Sequence, residues 1–309
     1  MSAKKKSLLI PARLRPGDKI GIAAPAGAFD KKKFNRGLKV LKAMGFEIHV
    51  PEDLFVKDGY LAGADWHRAA VLNGLFRDET VRAVICARGG YGAMRLLPLL
   101  DYRSIRKNPK IFIGFSDITA LLTVLYSRCR LVAFHGPVVT TLGIATQKSQ
   151  KAFLSAVSTR AKVRLIPQNG LTLRPGLAVG PVVGGNLTTL CHLVGTPYAP
   201  RLSGCILVLE EIEEPAYRID RMLTQMKLGG CFEGLAGLAL GSFRACGRKK
   251  KIYRLMLDRF GDLNIPILAG FEVGHGRSNT TFPVGLEGTL DTRRRVLSFQ
   301  AAGTAADPL

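Results

Sequence analysis

"IFIGFSDITALL" occupies residues 111–122. Its first part is a short apolar run around one glycine, the composition of a strand buried on both faces. Its last part resumes apolar residues at a spacing that suits a helix. Ser116 sits at the junction. Its hydroxyl could be a helix N-cap, accepting a hydrogen bond from a free backbone N–H of the first turn. It could equally be a nucleophile held on a sharp turn and aimed into a cleft. Either way a strand hands over directly to a helix, the unit from which parallel α/β sheets are built.

Outward from this stretch the same alternation repeats. "KIGIAAPAG" (19–27) reads as a strand running into a Gly/Pro turn, and Phe34, Leu38 and Leu41 recur at helical steps between Lys33 and Met44. "FEIHV" is a strand, "WHRAAVLNGLFRD" a helix, and "VRAVICARGG" a strand ending in paired glycines. "GAMRLLPLLD" is helical up to its proline, and "DITALLTVLYSR" reads as one helix. This order predicts a parallel, flavodoxin- or Rossmann-like sheet in an α/β fold, with ligands at the carboxyl ends of its strands. The loops "APAG", "RGGYG" and "GFSD" all fall at that end.

The pattern changes near residues 147–168, where the helix "SQKAFLSAVS" leads to the polar stretch "IPQNGLTLRPG". We therefore expect an N-terminal α/β domain over 1–150, a linker over 151–168 and a strand-rich α+β domain over 169–309. The second half holds the strands "GCILVLEE", "GLALGSF", "PILAGFEVGH", "TFPVG" and "RRVLSF". One long helix interrupts them, with Ile219, Met222, Leu223 and Met226 on one face, Pro215 at its start and Gly229 at its end.

The chain has 309 residues, 47% of them hydrophobic and 22% charged, which suits two folded cores and argues against disorder. Its opening apolar run, Leu8 to Ile10, is shorter than the roughly 7–15 residues of a signal-peptide core. No run approaches the roughly 18 apolar residues of a membrane span. The six cysteines are scattered without a CxxC pair, the usage of reduced thiols in a cytoplasmic protein. No metal, cofactor or membrane partner is expected, and a homodimer stays open.

The net charge of +22 comes in clusters at Lys4–Lys6, Lys31–Lys33, Arg103 to Lys110, Arg244 to Arg254 and Arg293–Arg295. A basic nucleic-acid-binding protein has such a balance. Yet no binding motif accompanies it, and aromatics are only 7%, too few for a clear stacking surface. Nucleic acid is not the expected partner. The charge reads as solvated surface, or as a field that attracts an anionic substrate.

A serine nucleophile needs a base, and the base needs an orienting acid. "GFSDI" lacks the final glycine of the G-x-S-x-G elbow, but it still exposes a serine hydroxyl beside the free N–H groups of a helix start. Among five histidines, His135 in "FHGP" and His275 in "GHGRSN" lie at strand ends beside glycines, and either could be the base. Glu210 ends the apolar strand "LVLE", where a solvated carboxylate is least expected. Its neighbours Glu211, Glu213 and Glu214 read as a solvated turn and helix start.

In order along nearly the whole chain stand "AAPAG", "YLAGADWHRAAVLNGLFRD", "ICARGGYGAMRLLPLLDY", "IGFSDITALL", "FHGP", "VGGNLTTLCHLVGTPYAP", "LVLEEIEEPAYRIDRMLTQ", "LALGSF" and "AGFEVGHGRSNTTFPVG". With these motifs the chain resembles the LD-carboxypeptidase family of serine peptidases, which also contains microcin C self-immunity peptidases. The resemblance implies Ser116 as nucleophile, Glu210 as acid and His275 as base. It implies an oxyanion hole from the backbone N–H groups of Gly90 and Asp117. Arg88 and Asn186 are implied, more loosely, as substrate contacts.

The implied reaction removes the terminal D-alanine from a muropeptide tetrapeptide, at an L-to-D bond, during cell-wall recycling. The implied partner is thus a small peptide carrying several carboxylates. The alternative inside the family is cleavage of an aminoacyl nucleotide antibiotic, which would call for an aromatic surface against the base. "ADWHR" places Trp66 where the family more often has a polar residue.

Overall fold

Short strands buried on both faces need a covering layer on each side, and the first half of the chain supplies it. Ile20, Ile22, Val84, Ile85, Phe112 and Ile113 are all fully buried. They lie on β1 (Lys19–Ala23), β3 (Val81–Cys86) and β4 (Ile111–Gly114), which pair in parallel with β2 (Glu47–His49) and β5 (Ala133–His135). The computed structural model describes residues 7–306, so the Lys4–Lys6 cluster lies outside the described residues. The sheet order is β12-β5-β4-β3-β1-β2, the doubly wound order of flavodoxin-like sheets with one added edge strand.

That edge strand comes from the far end of the chain. β12 (Phe282–Val284) lies antiparallel to β5, with Phe282 opposite His135. The second sheet holds the remaining strands: β6 (Lys162–Leu165), β7 (Leu171–Arg174), β8 (Leu177–Asn186), β9 (Ile206–Ile212), β10 (Gly237–Arg244), β11 (Ile267–Ala269), β13 (Glu287–Asp291) and β14 (Val296–Ala302). Its order is β6-β14-β13-β8-β9-β10-β11-β7, parallel from β8 to β11 and antiparallel on both flanks. The α/β reading with a parallel first sheet and a strand-rich second half therefore holds.

The helices are α1 (Lys31–Ala43), α2 (Asp65–Arg77), α3 (Tyr102–Lys107), α4 (Thr119–Val124), α5 (Val139–Leu142), α6 (Gln147–Ser158), α7 (Leu187–His192), α8 (Ala216–Leu228) and α9 (Lys249–Phe260). All six residues of α4 are buried, because it lies in a core shared by both sheets. That core joins Phe112, Leu121 and Leu122 to Val182, Val208 and Leu297. A second core packs α7, α8 and α9 on β9 and β10, and a third covers the other face of the first sheet around Phe34, Phe134 and Phe153.

Three expectations need correction. Residues 151–168 are not a plain linker: they hold most of α6 and all of β6, whose Leu165 is buried against β14. The segment after Ser116 is not one helix. A 3-10 turn (Ser116–Ile118) precedes α4, and a π turn (Leu125–Cys129) follows it and stops at Arg130 in the left-handed region. Residues Ala93–Leu99 form a 3-10 helix that contains Pro98 rather than an α-helix ending before it.

Phe112 tests the shared core. It is fully buried and stacks on Phe76 at 6.1 Å between ring centroids. Phe112→Ala should lower unfolding stability by about 3–5 kcal/mol. Urea denaturation monitored by circular dichroism measures it, and a loss under about 1 kcal/mol would contradict this packing.

Candidate active site

Gly114 ends β4, and at Ser116 the backbone turns into the left-handed region, φ 64°. A non-glycine residue there is strained, and such strain clusters where function demands a particular side-chain direction. The turn also decides the question posed by the sequence. The residue preceding the 3-10 turn is Phe115, and no side chain caps that turn. The Ser116 hydroxyl instead lies 3.0 Å from His275 Nε2. Its neighbour across the cleft floor is Gly89, where a Cβ would stand 2.8 Å from Ser116 Cβ and 3.1 Å from its Oγ.

His275 sits on the loop that follows β11. Its Nδ1 is 2.7 Å from Glu210 Oε2, and its backbone N–H donates to the same oxygen at 3.1 Å. Glu210 is fully buried near the end of β9, while the His275 side chain keeps 15% exposure. The loop can come this close because Gly274 has φ +104° and no side chain; a Cβ there would stand 2.2 Å from Glu210 Oε2. Phe115 packs on the imidazole at 5.0 Å between centroids. The three side chains thus form one line, hydroxyl to imidazole to carboxylate, built from both sheets.

Of the two residues expected as oxyanion donors, Gly90 lines the same cleft as Ser116, and Asp117 follows Ser116 in the chain. Gly90, φ +108°, and Ser116 share the wall of a cleft of about 450 Å³ that also includes Lys33, Arg88 and His275. Asp117 is the second residue of the 3-10 turn, whose first N–H groups have no carbonyl within the turn. Its carboxylate faces inward and accepts from the Ala93 N–H at 2.7 Å. Burial pushes the Asp117 carboxyl up to about 6, although the Ala93 N–H and Arg68 act against the shift. A second cavity, of about 490 Å³, meets the first at His275 and is bordered by Arg244, Lys249, Tyr253 and Arg277.

Arg88 stands in the cleft, exposed, with Nη1 donating to the Ala28 carbonyl. Asn186 does not fit the role of substrate contact. It is buried, its Oδ1 caps α7 by accepting from Thr189 N–H at 3.0 Å, and its Nδ2 donates to Glu211 at 2.8 Å. Glu211, expected in a solvated turn, is also buried and accepts from Thr188 N–H and Oγ1, each at 2.7 Å. Burial raises its carboxyl above the ordinary value.

His135, the other candidate base, is fully enclosed and stacks on Phe282 with centroids 5.0 Å apart. Burial holds its imidazole down to about 4, so it is neutral near pH 7. Sequence reasoning missed Arg68, a buried arginine of α2 that donates to the carbonyls of Pro25, Gly63 and Gly92. It thereby clamps the loops after β1 and β3 that floor the cleft. Asp65, three residues before it on the same helix, pairs with it, and that i, i+3 spacing was the available signal. Among the described residues no group of three His, Cys, Asp or Glu is placed to hold a metal ion. No helix among them is long and apolar enough to cross a membrane.

Comparison with known proteins matches residues 20–136 to the LD-carboxypeptidase N-terminal domain and residues 179–290 to the LD-carboxypeptidase C-terminal domain. The protein named "Probable murein peptide carboxypeptidase" of Bacillus subtilis is 37% identical over 94% of this chain and 94% of its own. The murein tetrapeptide carboxypeptidase of Pseudomonas aeruginosa is 33% identical over 89% of this chain and 94% of its own. Among solved structures, MccF in complex with glutamyl sulfamoyl guanosine superposes with a TM-score of 0.88 at 26% identity, covering 96% of this chain and 100% of that one.

The close approach of Gly89 to Ser116 yields a test. Gly89→Ala should leave the far-ultraviolet circular dichroism unchanged while it displaces the Ser116 hydroxyl. A misplacement near 1 Å costs about 10²-fold in rate, so kcat should fall by about that factor. Full activity in a folded variant would mean the two loops do not meet as described.

Proposed function

The chain belongs to the LD-carboxypeptidase family of serine-type peptidases, and from that footing we propose that it removes the terminal D-alanine of muropeptide tetrapeptides by hydrolysis of an L-to-D peptide bond. The observation that carries the reading is the line Ser116 Oγ, His275, Glu210, with contacts of 3.0 Å and 2.7 Å. In the proposed mechanism Ser116 Oγ attacks the scissile carbonyl carbon and passes its proton to His275 Nε2. The carbonyl oxygen takes negative charge and receives hydrogen bonds from the Gly90 and Asp117 N–H groups. His275 then protonates the leaving amine, and D-alanine departs. Water, deprotonated by the same imidazole, attacks the acyl-enzyme carbonyl and releases the shortened peptide and the Ser116 hydroxyl. Glu210 holds the imidazole in one tautomer and stabilises the imidazolium.

A carboxypeptidase must recognise a free terminal carboxylate within one residue of the scissile bond. Arg88 and Lys33 line the same cleft as Ser116, and a guanidinium can grip a carboxylate through two parallel hydrogen bonds. These cations support a carboxylate-bearing substrate. A cytoplasmic location and a role in cell-wall recycling belong to the same proposal.

One observation favours a second reading, cleavage of an aminoacyl nucleotide. Tyr91 follows Gly90, is 47% exposed, and pairs with Tyr60 at 5.7 Å between centroids, an aromatic surface close to the cleft. Trp66 is exposed on α2 and contacts the ring of His67.

Two experiments test this assignment. Ser116→Ala should keep the fold and lose on the order of 10⁴-fold or more in kcat; a purified variant retaining above about one per cent of the parental rate would remove Ser116 as nucleophile. In the second, an L,D-linked tetrapeptide and an aminoacyl sulfamoyl nucleotide compete in one tube, followed by mass spectrometry. The tetrapeptide should show the higher kcat/KM, and the opposite ranking would favour the immunity-type activity.

A further inference from the structure

Behind the triad lies a set of enclosed polar atoms that the mechanism does not use. Glu210 Oε1, both ring nitrogens of His135, Asn279 Nδ2 and Thr281 Oγ1 have no hydrogen-bond partner within the protein. Their residues are 0%, 0%, 3% and 1% exposed, respectively. Buried polar atoms are bonded in the great majority of cases, so several orphans together call for a shared explanation. The backbone brings them together. Asn279 Oδ1 accepts from Gly274 N–H at 3.0 Å, beside the oxygen of Glu210 that holds His275. Phe282 pairs with His135 across β12 and β5, and Thr281 Oγ1 lies 2.6 Å from the Cβ position of Gly136, the residue after His135. From β8, the Cβ position of Gly185 lies 3.3 Å from His135 Nδ1. The polar side chains that act on the charge of His135 are Glu210, His275 and Asn279, and its remaining walls include Phe115 and Phe282.

We propose that His135 and Asn279 hold one ordered water against Glu210 Oε1, which makes His135 a positioning residue of the triad. The water donates to Oε1 and accepts from Asn279 Nδ2 and from a His135 ring N–H, close to the three bonds typical of a buried water. Glu210 Oε2 already accepts two hydrogen bonds from His275. Bonding Oε1 as well fixes the plane of the carboxylate and favours its charged form. His135 suits the task because it is neutral: a neutral imidazole donates from one nitrogen and brings no second positive charge beside His275. The effect reaches the reaction only through Glu210, so it falls on kcat and on the pH profile rather than on substrate binding.

The inference rests on the triad reading above, and its test separates the two. His135→Phe keeps the aromatic stack between Phe115 and Phe282 while removing both nitrogens. We expect kcat to fall about tenfold with KM unchanged, and the acid limb of kcat/KM to move to lower pH, because a less firmly held anion disfavours the protonated triad histidine. His135→Gln, which keeps a donor and an acceptor, should recover most of the rate. A folded H135F with parental kcat and acid limb would overturn the proposal, as would a folded H135Q no better than H135F. A high-resolution crystal structure of the unaltered chain decides independently of folding of the variants and of activity. A water within hydrogen-bond reach of Oε1, Asn279 Nδ2 and His135 supports the site. A dry space, or a direct contact between His135 and Glu210, overturns it. An active S116A would instead remove the triad reading and leave the water site standing.

Discussion

One oxygen atom, Glu210 Oε2, accepts both the ring N–H and the backbone N–H of His275. This pair of hydrogen bonds from a single residue ties the loop after β11 to the end of β9 and leaves Nε2 with one direction to face. That direction is across to Ser116 on the other sheet. A charge-assisted hydrogen bond to a buried carboxylate is stronger than one in water. It also imposes a condition: the carboxylate must stay buried and the loop must pass within van der Waals range of it. Gly274 and Gly241 meet the condition, since a Cβ at either would press on Glu210. The line from Ser116 through His275 to Glu210 is thus a packing arrangement first.

The two sheets are locked so that this alignment persists. α4 starts three residues after Ser116, is wholly buried, and shares its core with residues of both sheets. β12 crosses back from the second half of the chain to pair with β5, only a few residues beyond His275. Ser116 and His275 are therefore each anchored within a few residues of an element that bridges the halves. A hinge motion between the halves would have to break the β12–β5 ladder or expose α4. The cleft is better described as a fixed seam than as a gap between mobile domains.

Much of the first sheet was readable from local pattern. Continuous apolar runs such as "AVIC" and "IFIG" became strands where expected, because a strand buried on both faces must be apolar at successive positions. Helix ends with mixed turns were not readable. Nothing in "DITALLTVLYSR" signals the change from 3-10 to α to π, since all three share apolar periodicities over so short a span. The supposed linker failed as an expectation because edge strands such as β6 are half exposed, and their polar composition resembles a loop.

The site divides along a similar line. The residue types and chain order of Ser116, Glu210 and His275, with a glycine-flanked turn at each end, stood in the sequence, and with them the family. A strand–turn–helix junction and a lone buried glutamate are local features. Which histidine faces Ser116 was left open by local pattern, because "FHGP" and "GHGRSN" look alike: each reads as a histidine beside a glycine at the end of an apolar run. Only the tertiary structure separates them. It encloses His135 among Phe115, Phe282 and β8, and it brings His275 across 159 residues of chain to Ser116. The same holds for Asn186 and Glu211, polar in sequence and bonded to each other in the interior. Residue chemistry is local and can be read from sequence. Burial and the partner of a hydrogen bond depend on where distant segments cross, and only the folded chain decides that.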